Sequence, residues 1–287
     1  MSARSQWSIT TPQKLTLDGT VATLEVRIAG GTVNVVGNGA GPARLEVSRI
    51  SGPPLTVTHE NGTLTVAYDD LHWKSFRTWL GHWNRAVHVT LTVPTDTSAS
   101  VGAIGAGAVV SGLTGRADLR GVSGDFTLLG LTGPVRTSTV SGRVEAQAVT
   151  GTLRFHSVSG DLTVVEGSGP AVRADSVSGN MVVDLAPATT CSDISLTTVS
   201  GEIAIRLPHP VDAEVEAHTA SGPVSNAFDD LRVSGQWGAK RITGRLGAGS
   251  GSLKATTVSG AIALLRRPPS EDDAATDTTD GPQGKVL

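Results

Sequence analysis

Cysteine is almost absent from this 287-residue chain, which holds Cys191 alone, and a single thiol excludes an intramolecular disulfide framework. The expectation is a fold held by packing, in a reducing compartment. Aromatic residues are scarce as well. One Tyr and four Phe stand against thirty-five Gly, a composition of tight turns and thin layers rather than of a large globular core. Charge of one sign is missing too. The formal net charge is −3, and Lys and Arg are scattered instead of gathered into the basic stripe of a nucleic-acid-binding domain, so no nucleic-acid partner is expected. No stretch approaches the ~20 continuous apolar residues of a membrane-spanning helix. The opening, Met1-Ser-Ala-Arg-Ser-Gln-Trp-Ser-Ile-Thr10, shows no apolar h-region. The expected location is therefore cytoplasmic, extending to a peripheral position at the inner membrane face.

What the sequence does have is a repeat. Gly124, Gly133, Gly142, Gly151 and Gly160 follow one another every nine residues, each preceded by Ser or Thr. Alternate steps spell Val-Ser-Gly, at Ser123-Gly124, Ser141-Gly142, Ser159-Gly160, Ser178-Gly179, Ser200-Gly201 and Ser259-Gly260. Counted from each Gly, the second, fourth and seventh positions are mostly apolar: Phe126, Leu128 and Leu131; Val144, Ala146 and Val149; Leu153, Phe155 and Val158. The first two obey the alternation of a strand with one buried face, and the third is expected inside again after a bend. Asp161, Thr163, Arg143, Glu145, Arg154 and His156 fall between them and should face outward.

One such unit buries only a narrow strip, so it cannot fold alone, and stacking completes its core. Two units make a coil of eighteen residues. The Gly meets either a positive φ or a corner too tight for a Cβ. The Ser before it is expected to bond the turn backbone, and no base sits at a fixed offset to make it a nucleophile. The fold class is all-β: a single-stranded parallel β-helix of eighteen-residue coils, preceded by a β-rich N-terminal region with one short helix.

Steps such as Val158-Ser-Gly-Asp-Leu-Thr-Val164 and Val199-Ser-Gly-Glu-Ile-Ala-Ile205 resemble the bacterial DUF4097 family, labelled as candidate adhesins. They are also similar to the toastrack domains of envelope-stress proteins. The resemblance covers residues 96 to 265 strongly and the N-terminal part more loosely. It implies a β-solenoid of unassigned biochemical role and brings no catalytic residues.

Three regions are expected: a β-rich N-terminal region over 1–95, the repeat domain over 96–266 and a disordered acidic tail over 267–287. In the first, Leu24, Val26 and Ile28, Val33 and Val35, Leu45 and Val47, Leu55 and Val57, and Leu64, Val66 and Tyr68 mark strands. Asn38-Gly39 and Asn61-Gly62 signal two-residue hairpins. Leu71 to Arg85 breaks the pattern with three of the five Trp. Trp73, Phe76, Leu80 and Trp83 follow helical spacing, with Trp79 beside them and Lys74, Arg77 and Arg85 adding positive charge. The spacing predicts a short amphipathic helix that either caps the open end of the stack or docks a partner or membrane surface through Trp73, Phe76, Arg77, Trp79 and Trp83. After Gly179 the period stretches to twenty-two and then twenty-one residues, which sends Ala186–Asp193 and Pro208–Asp212 into outward loops. Asn226 to Ile242 interrupts the repeat, and Gly247 to Gly260 resumes it.

Chemistry is less visible than architecture. Asp125, Arg143, Thr152, Asp161 and Asn180 share one offset after the turn Gly but mix charge types, unlike the paired carboxylates of a glycosidase. No carboxylate recurs at the turn, as a calcium-binding roll requires. His72, His82 and His88 with Asp69 and Asp70 lack the spacing of a zinc motif. The expectations are no catalytic, cofactor or metal site, a protein partner, and self-association through the solenoid ends. The functional expectation is a non-catalytic scaffold or sensor module in a bacterial stress or signalling system, the alternative being an exported, adhesin-like surface protein.

Overall fold

The computed structural model describes residues 4–39, 41–68, 85–186, 193–208, 210–236 and 238–268. Among these residues every regular element is a strand, and the strands form two sheets, of fourteen and twelve. The expected all-β solenoid is what the chain forms. The helix that the spacing predicts over 71–85 falls, apart from Arg85, outside the described residues, as do Trp237 and the tail from Pro269. It finds no support here, since no helix occurs among the described residues.

Each coil runs from a strand of the larger sheet through a Val-Ser-Gly corner into a strand of the smaller one, and a second corner leads back. Ala117–Gly121 is followed in this way by Phe126–Leu129, then by Val135–Thr139 and Val144–Gln147. Neighbouring coils pair in parallel at the eighteen-residue offset. Leu119 lies opposite Thr137, and Thr137 opposite Phe155; Phe126 lies opposite Val144, and Val144 opposite Leu162. Inward side chains therefore stack on inward side chains, and the two sheets share one continuous apolar core.

The two corners differ, and the difference corrects part of the expected core. At the corner after the smaller sheet, Gly112, Gly130, Ala148 and Glu166 take φ of +66°, +58°, +52° and +54°. That left-handed residue turns the next one inward, so Leu113, Leu131 and Val149 are buried as the repeat predicts. The Val-Ser-Gly corner contains no such residue among those described. Strand alternation there runs one residue further, Thr139 and Ser176 take the inward position, and Val158 is turned out to 51% exposure.

Sequence order and stacking order part company at both ends. Thr23–Ile28 lies between Ser98–Ala103 and Thr63–Ala67, parallel to both. Gly31–Gly37 lies likewise between Gly107–Ser111 and Ala86–Val93. The outermost parallel coil is thus a later one in sequence, and antiparallel strands close over it: Leu55–Glu60 and Ser5–Ile9 on one sheet, Arg44–Ser51 and Gln13–Thr16 on the other. Asn61-Gly62 makes the expected tight hairpin, both residues having positive φ. Asn38-Gly39 does not make one. Ala86–Val93 comes between the strands on either side of it, parallel to the first and antiparallel to the second.

At the other end, Gly251–Thr257 is inserted between Asp193–Thr197 and Ala213–Thr219. Ile262–Arg266 is inserted in the same way between Ile203–Leu207 and Val224–Asn226. The antiparallel strands Ala239–Leu246 and Leu231–Gln236 then cover the last coil. The segment that interrupts the repeat is therefore an end cap, and the repeat resumes inside the stack.

An ionic clasp fastens the inserted coil. The Asp184 carboxylate, almost fully buried, receives both the Nε and a terminal nitrogen of Arg206 on the adjacent strand. Arg267, just past the inserted coil, donates to the Leu185 carbonyl at 3.0 Å and stands 3.6 Å from both Asp184 and Glu166. The hydrogen bond from Arg206 holds the Asp184 carboxyl below its ordinary value of 3.8, against the opposing effect of burial, and the charges of Arg206 and Arg267 add to the lowering. A depressed folded-state pKa contributes stability that is present above the unfolded value and lost as pH falls through the folded one. Asp184→Asn is expected to cost about 1–2 kcal/mol at pH 7, since the freed, half-exposed Arg206 regains water. In thermal melts the gap between variant and wild type should hold down to pH 3.8 and close below it. A gap independent of pH throughout the acid range would show that the carboxylate charge is not what holds the clasp.

Candidate functional site

The Val-Ser-Gly edge is where the repeat concentrates side chains that the core does not use. Each Ser reaches one coil back. Ser141 donates its N–H and its hydroxyl to the Val122 carbonyl, at 2.8 and 3.1 Å, and Ser159 does the same to Val140, at 2.8 and 3.2 Å. Ser123, Ser178, Ser200 and Ser259 repeat the contact with their Oγ at 3.4 Å. The turn glycines Gly124, Gly142, Gly160, Gly179, Gly201 and Gly260 are buried beneath them. These hydroxyls donate to the backbone of the preceding coil, which lines them up as a column.

A second hydroxyl column lies one step further in, and no reading of the repeat pointed to it. Thr139, Ser157, Ser176, Thr198, Thr219 and Thr257 each accept a hydrogen bond from the N–H of the turn Gly three residues later. The signal was in the sequence as a Ser or Thr three residues before each of these glycines, and the apolar reading of the inward positions hid it. Thr257→Val keeps the shape but orphans the buried Gly260 N–H. Its expected cost is about 1–3 kcal/mol in chemical denaturation, against almost nothing for exposed Thr256→Val on the same strand.

Outside the serines runs a file of valines. Val140, Val158, Val177, Val199 and Val258 are between 45% and 51% exposed. They follow one another coil by coil, tied by backbone bonds from Val177 to Val158, Val199 to Val177 and Val258 to Val199. With neighbouring strands ~4.8 Å apart, they form one straight apolar ridge. Trp73, Phe76, Arg77, Trp79 and Trp83 lie outside the described residues. Their flanks do not: Thr63–Ala67 and Ala86–Val93 belong to opposite sheets, and the coil beside them turns at Ala29 and Gly30 on this same edge. There the Arg85 guanidinium lies 5.6 Å from the Tyr68 ring centroid. Ala186 and Pro208 leave the smaller sheet at the opposite edge, where the stretched connections were expected.

Polar residues at the shared offset after the turn Gly bond the next coil. Asp125 accepts the backbone N–H of Arg143 at 2.8 Å, Asp161 that of Asn180 at 2.8 Å, and Asn180 itself takes over for Glu202 at 2.9 Å. Thr152 belongs to the other sheet's edge, so the shared offset splits between two faces. One constellation was not legible beforehand: Ser138, His156 and Asp175 are in register on three adjacent strands, with His156 Nδ1 3.2 Å from Asp175. It lacks the rest of a hydrolase site. Ser138 makes no hydrogen bond to His156 among the described residues, and strand N–H groups bonded in the ladder cannot serve as an oxyanion hole. No group of three or more His, Cys, Asp or Glu among the described residues could hold a metal ion. No helix among them is long and apolar enough to cross a membrane.

Among solved structures, the chain is similar to a candidate adhesin from Bacteroides fragilis NCTC 9343, at 13% identity and a TM-score of 0.45, covering 93% of this chain and 97% of that one. It is also similar to a candidate cell adhesion protein from Clostridium sporogenes ATCC 15579, at 11% identity and a TM-score of 0.28, covering 93% and 100%. A candidate adhesin from Parabacteroides merdae ATCC 43184 follows at 9% identity and 0.25, covering 91% and 96%. No curated protein matches the sequence. The family described as Toastrack DUF4097 matches residues 21–265, from the first solenoid strand almost to the end of the inserted coil. On that match the chain belongs to the Toastrack DUF4097 family.

Proposed function

We propose that this protein is a non-catalytic β-solenoid scaffold or sensor module that docks a protein partner along its Val-Ser-Gly edge, in a bacterial envelope-stress or signalling system. The observation that carries the reading is the valine ridge. Five half-exposed valines in single file add nothing to the core, and contiguous apolar surface on a soluble protein marks an interaction site. The strands that flank the aromatic-basic segment, Thr63–Ala67 and Ala86–Val93, meet the same edge, and in this reading the segment extends the contact to a partner or to the inner face of the membrane. Catalysis has no part in this reading, which is supported by the turn hydroxyls and by Asp125 and Asp161 being bound to backbone. The exposed terminal strand Leu231–Gln236 offers an edge for end-to-end association.

The test replaces Val140, Val158 and Val177 together by Ser. The variant should melt within a few degrees of wild type, because surface changes of this kind cost about 0.5 kcal/mol or less each. Cross-linking and fractionation in the native host should then show the wild type in the envelope fraction with one defined partner, and the variant released from both. A wild type that stays in the soluble fraction uncross-linked, or a variant that keeps the partner, overturns the proposal. Recovery of the wild type outside the cell would favour the exported, adhesin-like alternative.

A further inference from the structure

The outward wall of the larger sheet carries a row of arginines that the fold does not need. Arg136 lies opposite Arg154, and Arg154 opposite Arg173, on three adjacent parallel strands. Like charges placed directly opposite one another across a sheet destabilise it. The row is closed at each end by a carboxylate already engaged. Asp118, in register beyond Arg136, takes Arg120 at 3.0 Å and Arg116 at 3.6 Å; Asp193 takes Arg173 at 2.8 Å. Between these ends, Arg136 and Arg154 have no carboxylate within ion-pair distance among the described residues. A shallow depression of about 290 Å³ opens beside them, lined by Arg116, Pro134, Val135, Arg136, Thr152 and Arg154.

We infer that this wall is a binding site for an anionic polysaccharide, which lies along the solenoid axis with successive acidic groups on Arg136 and Arg154. Guanidinium forks bind carboxylate and sulfate or phosphate oxygens with two parallel hydrogen bonds. The strand spacing of ~4.8 Å is comparable to the length of one sugar residue in an extended chain. The neighbours suit a sugar as well: Ser138 and Ser195 flank the row, and Thr152 lines the depression. No Phe, Tyr or Trp among the described residues stands beside the row to stack a base, as single-stranded nucleic-acid binding uses, and the ring of His156, two residues from Arg154, is held by Asp175. The exposed apolar side chains nearest the row, Val140, Val158 and Val177, stand at the corner where these strands end and not among the guanidinium groups. The inference goes beyond the interaction-module reading, since it concerns the wall of the larger sheet and not the Val-Ser-Gly edge.

Isothermal titration of the full chain with polygalacturonate and with dextran sulfate separates carboxylate from sulfate recognition, with neutral dextran and oligo(dT) as comparisons. The double variant Arg136→Ser with Arg154→Ser should bind about tenfold more weakly or worse, and should melt at or above the wild-type temperature because a like-charge contact is relieved. Arg232→Ser with Lys240→Ser removes the same charge from the terminal hairpin and should stay within about twofold of wild type at physiological salt. Equal weakening by both variants, equal binding of neutral dextran, absence of binding to either acidic polymer, or tighter binding of oligo(dT) overturns the site. Shortening of a polymer during incubation would overturn it too, because the polymer would then be a substrate.

Discussion

Gly179→Ala is expected to lower stability by about 3–5 kcal/mol, with a fall of the thermal midpoint on the order of 10 °C. A Cβ at Gly179 would stand 2.0 Å from the Gly160 carbonyl oxygen and 2.8 Å from its carbon. The obstacle is backbone, so no side-chain rotation relieves it, and a Cβ at Gly160 would likewise stand 2.2 Å from the Gly142 carbonyl oxygen. The conformation itself is open to any residue, since this glycine has no left-handed φ. The coils must therefore separate locally, which breaks the ladder on both sheets at once. In an array stabilised by nearest-neighbour contacts, hydrogen exchange should rise first in the coils on either side of the substitution. Gly130→Ala is the control. It has φ of +58° and nothing within 4 Å of its Cβ, so its cost is limited to about 1–2 kcal/mol of backbone strain. Equal losses for the two variants would mean that close approach of the coils is not what selects glycine at the Val-Ser-Gly corner.

Phe155→Ala should cost about 3–5 kcal/mol as well, for a different reason. The ring is fully buried, and its in-register neighbours are small: Thr137 on one coil and Ala174 on the other. It fills the space that both leave. The coils cannot collapse into the vacancy, because ladder hydrogen bonds hold them at fixed spacing, so the cavity persists and adds its own penalty. Phe155→Leu should recover most of the loss, leaving about 1.5 kcal/mol or less. Val158→Ser, three residues away in the same coil, is expected to change stability by about 0.5 kcal/mol or less. Urea denaturation of the three variants measures the contrast, and a Val158→Ser loss matching that of Phe155→Ala would place the ridge valine inside the core.

The coils were legible because each repeats the same local demands. Alternating Phe126 and Leu128, Val144 and Ala146, Leu153 and Phe155 announce an inward face that only stacking can keep dry, and the structure buries all six. The Asn61-Gly62 hairpin was legible for the same reason, since a two-residue turn joins strands that pair with each other. Asn38-Gly39 carries the same letters and failed as a signal, because the strand that comes between its two flanks follows fifty-six residues after the first, Gly31 pairing with Val87. Val158 misled in another way. Its apolar character is genuine, but the corner geometry decides its side of the wall, and that geometry depends on whether a left-handed residue precedes it.

The candidate surfaces divide along the same line. The valines and serines of the repeat could be named from the sequence, whereas the arginine row could not. Arg136, Arg154 and Arg173 are eighteen and nineteen residues apart, and only strand register makes them neighbours. The same holds for Asp184, Arg206 and Arg267, which close a clasp across three coils. By itself, then, the sequence determined the repeating unit, its inward face and the family, because turn chemistry and strand alternation act over a few residues. The tertiary structure decided the order of the coils at both ends and which side chains meet on the walls. Those depend on which strand reaches an open sheet edge and buries it, a contest between distant segments that no local pattern records.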